Sequence, residues 1–299
     1  MNISIILNGV SRKRNTFLRN IYPALQKEFQ CHLFITEHAG HAEQLAIAAA
    51  GKGHDIILAA GGDGTMSQVI NGVVSLRDRA PTVGFIPLGS GNDLARSMNV
   101  TADADKVLSL IRKNNPIEID LGVATLHDEK GKPIQRYFIN ECSIGMGPEV
   151  VRQISDGPKI YGASLTYLKA IVTTFFTHKP ERVNVKSEGF EWDGEARVLA
   201  VANGKAFGHS IYIAPDAKMD DGKLNMFLCK GLPLAKFLLY LQAIKRPKKI
   251  DDPKWINYRL SDFIEIETSE PLPVEADGEL IGFTPLKCGV LQKRIKVLA

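Results

Sequence analysis

Ala60-Gly61-Gly62-Asp63-Gly64-Thr65 places three glycines and one carboxylate between an apolar run and a stretch of helical spacing. Glycines at such a junction let the backbone approach a phosphate closely, and the N-terminus of the following helix offers free N–H groups with a favourable dipole. Asp63 adds a carboxylate able to hold Mg²⁺ or to orient phosphates through water. A plain strand-to-helix turn capped by Asp or Thr is the simpler alternative. A second loop, Pro87-Leu88-Gly89-Ser90-Gly91-Asn92-Asp93-Leu94-Ala95-Arg96, repeats the arrangement, and Asn8-Gly9-Val10-Ser11-Arg12 supplies a third set of donors with basic side chains. Neither Gly-x-x-x-x-Gly-Lys-Ser/Thr nor an opening Gly-x-Gly-x-x-Gly is present, so a P-loop enzyme and an ordinary dinucleotide-binding dehydrogenase do not fit.

Two acidic turns lie further along, Asp220-Asp221-Gly222 and Asp277-Gly278-Glu279. Adjacent carboxylates suit a hard, oxygen-seeking cation, although most acidic turns bind nothing. Phosphoryl transfer needs positioning, charge neutralisation and an acceptor for the hydroxyl proton, which Glu279 could be. Asp-Gly is also a strong hairpin signal, and on these residues alone the hairpin is the better reading. His209 reads as a surface or hydrogen-bonded histidine. Cys31, Cys142, Cys229 and Cys288 lie far apart, which suggests neither a zinc site nor a disulfide framework.

The elements that must position these residues change character along the chain. Ile3 to Leu7, Cys31 to Thr36, Asp55 to Ala60, Thr82 to Pro87 and Ile117 to Ala124 read as strands. Between them, Phe17, Ile21, Leu25 and Phe29 are spaced for a helix, as are His41 to Ala50, Met66 to Val73 and Ala102 to Arg112. Strands alternating with helices predict a parallel sheet covered on both faces. After the polar turn His127 to Lys132, strands dominate: Arg136 to Asn140, Arg182 to Ser187, Arg197 to Asn203, Lys223 to Cys229, Phe263 to Thr268 and Leu272 to Ala276. Helical stretches at Ala163 to Phe176 and Leu234 to Lys245 interrupt them. The predicted division is an α/β nucleotide-binding domain over 1–128, to which a tail at 286–299 returns, and a β-rich domain over 129–285.

With 299 residues, 37 Lys+Arg against 33 Asp+Glu and 44% hydrophobic residues, the composition is that of a globular protein of two domains. A formal charge of +4 is too weak to imply nucleic acid. The short apolar run at Met1 to Asn8 predicts no signal peptide, and no window is apolar enough to span a bilayer, so a cytoplasmic protein is expected. Leu234 to Ile244 leads into Lys245, Arg246, Lys248 and Lys249; a core helix with a solvated end and a helix that meets an anionic bilayer both remain open.

The glycine loops, together with Phe138-Ile139-Asn140, Ile144-Gly145-Met146-Gly147, Asn203-Gly204, Ala214-Pro215-Asp216-Ala217-Lys218-Met219-Asp220-Asp221-Gly222-Lys223-Leu224 and Glu275-Ala276-Asp277-Gly278-Glu279, resemble the diacylglycerol kinase catalytic domain family. That family includes soluble bacterial lipid kinases and the sphingosine and ceramide kinases. The resemblance spans nearly the whole chain. It implies an N-terminal α/β domain like that of NAD kinase, a C-terminal, mainly β sandwich domain, and transfer of the γ-phosphoryl group of ATP to a lipid hydroxyl, most simply that of diacylglycerol. Gly61, Gly62, Asp63, Gly64, Thr65 and Gly89 would hold ATP phosphates, with Asn8, Thr36 and Ser90 as further nucleotide contacts. Asp221 and the carbonyls of Lys218 and Lys223 match the family's Mg²⁺ site, Glu279 its general base, and Asp277 a residue that positions metal or base. The implied partners are ATP and a membrane lipid met at the bilayer surface, where the protein would sit peripherally; a homodimer is compatible with the sequence. Ser67 and Gln68 depart from the family's Asn-Glu, Ser90 from its usual Thr, and His209 from the second glycine of a pair.

Overall fold

Strand β1 (Asn2–Leu7) is an unbroken run of side chains with no solvent exposure from Ile3 onward, as a strand covered on both faces must be. The computed structural model in which it lies describes residues 1–76, 80–157, 163–208 and 210–299; His209 lies outside the described residues. The stretch spaced by Phe17, Ile21 and Leu25 forms α1 (Arg14–Thr16), a π-helical turn (Phe17–Ile21) and α2 (Tyr22–Gln26). Pro23, at the start of α2, has no N–H to continue the regular ladder, and the widened turn immediately precedes it. Then follow β2 (Gln30–Ile35), α3 (His41–Gly51), β3 (Ile56–Gly61), α4 (Asp63–Val74), β4 (Thr82–Pro87), α5 (Asp93–Ser97) and α6 (Ala104–Lys113). The four strands are parallel in the order β2-β1-β3-β4.

Register decides where the loops emerge. Leu7 lies beside Ala60, and Gly61 beside Pro87. The segments after β1, β3 and β4 therefore leave the sheet at one level, side by side. Phe17, Leu25, Val107 and Ile111 cover Ile3, Ile5 and Leu58 from one face.

The second half contains β5 (Ile117–His127), β6 (Pro133–Phe138), β7 (Glu141–Gly145), α7 (Met146–Asp156), α8 (Ala163–Thr177), β8 (Glu181–Ser187), β9 (Phe190–Ala202), β10 (Leu224–Lys230), α9 (Leu234–Ala243), β11 (Ile256–Ser261), β12 (Phe263–Thr268), β13 (Pro273–Ala276) and β14 (Glu279–Leu298). Pairing is antiparallel in the order β11-β10-β9-β7-β13-β14, and β8 bridges β9 to β12. Side chains alternate between two cores. Leu199 and Val201 of β9 and Met226 and Leu228 of β10 enter one with Ile264 and Leu286. Ala200, Ala202, Phe227 and Cys229 enter the other, which α8 and α9 cover.

The chain divides into two compact units, 1–119 with 293–299, and 120–292. The expected boundary after residue 128 falls too late, because Gly122 to His127 already pair with β6 inside the second unit. The returning tail is likewise shorter than 286–299: Phe263 to Ile266 pair with Gly289 to Leu286, and only Val297 and Leu298 of β14 join β4, in parallel. Helix α7 and strands β7 and β11 had no counterpart in the expected elements.

Candidate active site

In the first unit the glycines serve contact between loops. A Cβ on Gly89 would lie 2.5 Å from Gly62 Cα and 2.8 Å from Asn92 Oδ1, and one on Gly61 would run into the Thr65 side chain. Leu88 and Gly89 N–H both donate to Gly61 O, at 2.7 and 3.1 Å. Asn92, at φ 53°, accepts from Gly89 N–H through its side-chain oxygen and donates back to Gly89 O. The first loop is stitched in as well: Asn8 Nδ2 donates to Thr65 Oγ1 (3.1 Å), Gly9 N–H to Thr36 Oγ1 (3.0 Å) and Ser11 Oγ to Leu88 O (3.0 Å). Asn8, Thr36, Gly61, Gly62, Asp63, Thr65 and Gly89 are thus gathered in one network, with Gly64 in the first turn of α4, while Ser90 is exposed on the rim. Bare backbone at the start of the 12-residue helix α4, which has no side-chain cap, fits an anion such as a nucleotide phosphate.

Asp63 behaves differently from a free metal ligand. Its Oδ1 accepts Leu94 N–H at 3.2 Å, tying the start of α4 to α5. Burial raises its carboxyl above the ordinary range, the neighbouring Asp93 raises it further, and the backbone amides of 92–94 partly offset both. A carboxyl with a raised folded-state value contributes its full stability below the ordinary carboxylate range and loses it as pH rises through the folded value. At neutral pH this charge therefore weakens the fold. Asp63→Asn should melt a few degrees above the wild type at neutral pH, with the gap closing towards about pH 4. Thermal denaturation across pH checks this; a variant that melts lower at neutral pH would assign Asp63 a purely structural role.

In the second unit, Asp221 is exposed and accepts Lys223 N–H at 3.0 Å, while Gly222, at φ 70°, donates to Asp120 Oδ2 at 2.7 Å. Asp120 N–H in turn donates to Met219 O (2.6 Å), so this buried carboxylate fixes the loop from below. No cluster of three His, Cys, Asp or Glu side chains suited to a metal occurs among the described residues. Asp221 with the carbonyls of Lys218 and Lys223 is an all-oxygen donor set, which fits Mg²⁺ completed by water.

Asp277 and Gly278, at φ 49° and 84°, are the two central residues of a hairpin closed by Ala276 and Glu279. Positive φ at both is the primed turn whose twist matches the flanking strands, so the hairpin reading of Asp-Gly holds. The Asp277 carboxylate accepts N–H groups from Ile139 (2.9 Å), Asn140 (2.8 Å) and Glu141 (3.2 Å). With three donors in place it anchors the turn, which presents half-buried Glu279 as the first residue of β14. Beneath the turn lie Glu275 and Glu141, 0% and 1% exposed. Glu275 accepts from Ser143 Oγ and from Gly278 N–H. Burial drives the Glu141 carboxyl well above the ordinary carboxylate range, with Glu275 adding to it, and burial raises Glu275 too. Sequence reading missed Glu141, Glu275 and Asp120. The signal was a charge inside an apolar run, as at Ile119-Asp120-Leu121.

On the α8 and α9 face of this unit is a pocket of about 780 Å³, counting its open mouth. Met146, Ile171, Ile213, Phe237, Leu241 and Ile244 are among its lining. Arg197 also borders it, but its guanidinium is committed to Phe175 O and His178 O (3.0 and 2.9 Å) at the end of α8. Outside the pocket, Leu165, Leu168 and Phe176 of α8 and Leu234, Leu238 and Leu239 of α9 are exposed. Lys249 pairs with Asp216 at 2.8 Å. No helix among the described residues is long and apolar enough to cross a membrane.

Residues 2–124 match the family model of the diacylglycerol kinase catalytic domain, and residues 142–299 that of the YegS C-terminal NAD kinase beta sandwich-like domain. The chain is 30% identical over 279 residues to the "Probable lipid kinase YegS" of Salmonella gallinarum and equally to that of Salmonella typhimurium, covering 92% of this chain and 88% of each relative. Among solved structures, a "putative diacylglycerol kinase" from Bacillus anthracis superposes with a TM-score of 0.79 at 26% identity, over 99% of this chain and 96% of that one.

Proposed function

Since the chain belongs to the lipid kinase family that joins a diacylglycerol kinase catalytic domain to a YegS-type C-terminal domain, we propose that it transfers the γ-phosphoryl group of ATP to a lipid hydroxyl, with diacylglycerol as acceptor and phosphatidic acid as product. The observation that carries the lipid half is the pocket under α8 and α9. Its mostly apolar lining suits an acyl chain better than a polar acceptor such as NAD. The exposed leucines of α8 and α9 support an approach to the bilayer surface, with Lys245, Arg246 and Lys248 beyond α9 favouring anionic lipid.

In this reading, backbone N–H groups of Gly62, Gly64 and Thr65 hold the phosphates, and Asn8, Thr36 and Ser90 complete the nucleotide contacts. Lys218, Asp221 and Lys223 would hold a Mg²⁺ ion, which would supply a hard cation that props up the active-site network. Asp277 holds the turn, and Glu279 takes the proton from the lipid hydroxyl as its oxygen attacks phosphorus.

The test is incubation with γ-labelled ATP, Mg²⁺ and a panel of diacylglycerol, phosphatidylglycerol, ceramide, sphingosine and NAD. Label is expected on diacylglycerol. Ile171→Trp, which fills the pocket from α8, should lower lipid labelling about tenfold or more with ATP binding retained. Label on NAD alone, or on nothing, would overturn the proposal.

A further inference from the structure

We propose that Glu141 and Glu275 share a single proton, carried by Glu141, and that this proton holds the turn presenting Glu279. Glu141 is then a positioning residue, and its link to catalysis rests on the transfer proposed above.

The pair lies where a charge is hardest to keep. Glu275 stands opposite Ser143 across the β13 and β7 ladder, and Glu141, two residues before Ser143, points to the same face. Their donors are unequal. Glu275 has the Ser143 hydroxyl and Gly278 N–H, whereas Glu141 faces that same Ser143 hydroxyl, whose single proton goes to Glu275 Oε1, and its own carboxyl oxygens are left unsatisfied. The unsatisfied carboxyl must bring its own proton, and Glu275 is the acceptor beside it. Two ionised carboxylates this deeply buried, out of reach of bulk solvent, repel each other strongly.

Among the described residues, no cation acts on the pair. From β9, the residues beside Glu141 and Ser143 are Ala202 and Ala200. From α7, Gly147 backbone covers the pair, and a Cβ there would lie 3.2 Å from Glu275 Oε1; Glu149 and Arg152 of the same helix pair with each other at 2.8 Å. Cys142 and Cys288 lie in the opposite core layer. From the hairpin comes Asp277, a further carboxylate, already held by three amides. Loss of the Glu141 proton therefore sets two negative charges against each other with Asp277 close by.

Glu141 transmits that change because its backbone grips the same turn. Its N–H donates to Asp277 Oδ1, and its carbonyl accepts Asp277 N–H at 3.0 Å. Its side chain meets Glu275, whose other oxygen holds Gly278 N–H. The turn before Glu279 is thus secured from both sides by one residue. Removing the proton drives Glu275 away from Glu141, and the Gly278 bond goes with it.

Three readouts test this on the full chain. Infrared difference spectra of the wild type near neutral pH should contain the carbonyl band of a protonated carboxylic acid, lost in Glu141→Gln. Amide exchange at Gly278 and at 139–141, corrected for intrinsic pH dependence, should accelerate in the wild type at alkaline pH and stay protected in Glu141→Gln, whose amide donates without titrating. The alkaline limb of phosphoryl transfer should move up by about one pH unit or more in that variant. Absence of the acid band overturns the shared proton. A band accompanied by identical exchange and pH profiles in both proteins overturns the positioning role while leaving the kinase reading intact. If no lipid is labelled, the kinase reading fails, and the band and exchange still decide the pair. Should Glu141→Gln not fold, the wild-type band and the pH course of wild-type exchange decide it.

Discussion

Glu279→Gln is expected to lower lipid phosphorylation by about 10²–10⁴-fold, the usual contribution of a positioned proton acceptor. Glutamine has nearly the shape of glutamate and keeps the strand pairing of residue 279 with Ala276 at the mouth of the hairpin. The turn itself is fixed by the bonds of Asp277 to the amides of 139–141 and of Gly278 N–H to Glu275. The substitution thus removes basicity while those bonds stay in place. Phosphoryl transfer should fall in kcat, while the rise in Tm on adding ATP stays at the wild-type value. Undiminished transfer by the variant would discard Glu279 as the base. Asp277 is the obvious understudy, but its oxygens are already engaged by the amides of 139–141.

Gly89→Ala is expected to abolish the ATP-induced rise in Tm. The new methyl would stand 2.5 Å from Gly62 Cα, a backbone atom that cannot swing aside as a flexible side chain can. The second glycine loop would have to retreat from the first, breaking the bonds of Leu88 and Gly89 N–H to Gly61 O. Overpacking of this kind costs about 1–3 kcal/mol of stability. The larger effect is on affinity, because the loops that approach each other there are those proposed to hold the phosphates. Calorimetric titration of ATP into the variant, beside its melting curve, separates the two effects. Wild-type affinity in a destabilised variant would move the phosphate site away from this contact.

The alternation of strands and helices up to Ile119 was legible because each element there is built from near neighbours in sequence. Apolar runs of about six residues and helical spacing are local signals. The glycine loops were legible for the same reason, since a strand end and a helix start flank each one. What sequence could not convey was the partnering of distant strands. Glu275 meets Ser143 only because β13 lies against β7, and Asp277 finds its three amides only because the turn after β6 closes over it. The boundary was misplaced for a related reason. The polar turn at His127 to Lys132 is a tight hairpin between β5 and β6, and a hairpin joins two strands of one unit. Helix α7 was overlooked because Gly145, Gly147 and Pro148 weaken the local helical signal at its start; Gly145 is its N-cap at φ 84° and Gly147 makes room for Ser143 and Glu275.

Strand β14 has a consequence for how the protein comes into being. Val297 and Leu298, both buried, complete the sheet of the first unit beside Val83 and Gly84. A nascent chain leaving the ribosome has made β4 long before it makes that neighbour. Until then β4 presents an unpaired hydrophobic edge, the kind of template that invites pairing with another chain. The first unit thus cannot finish folding when its own stretch of sequence has emerged. It waits for the whole of the second unit to be synthesised.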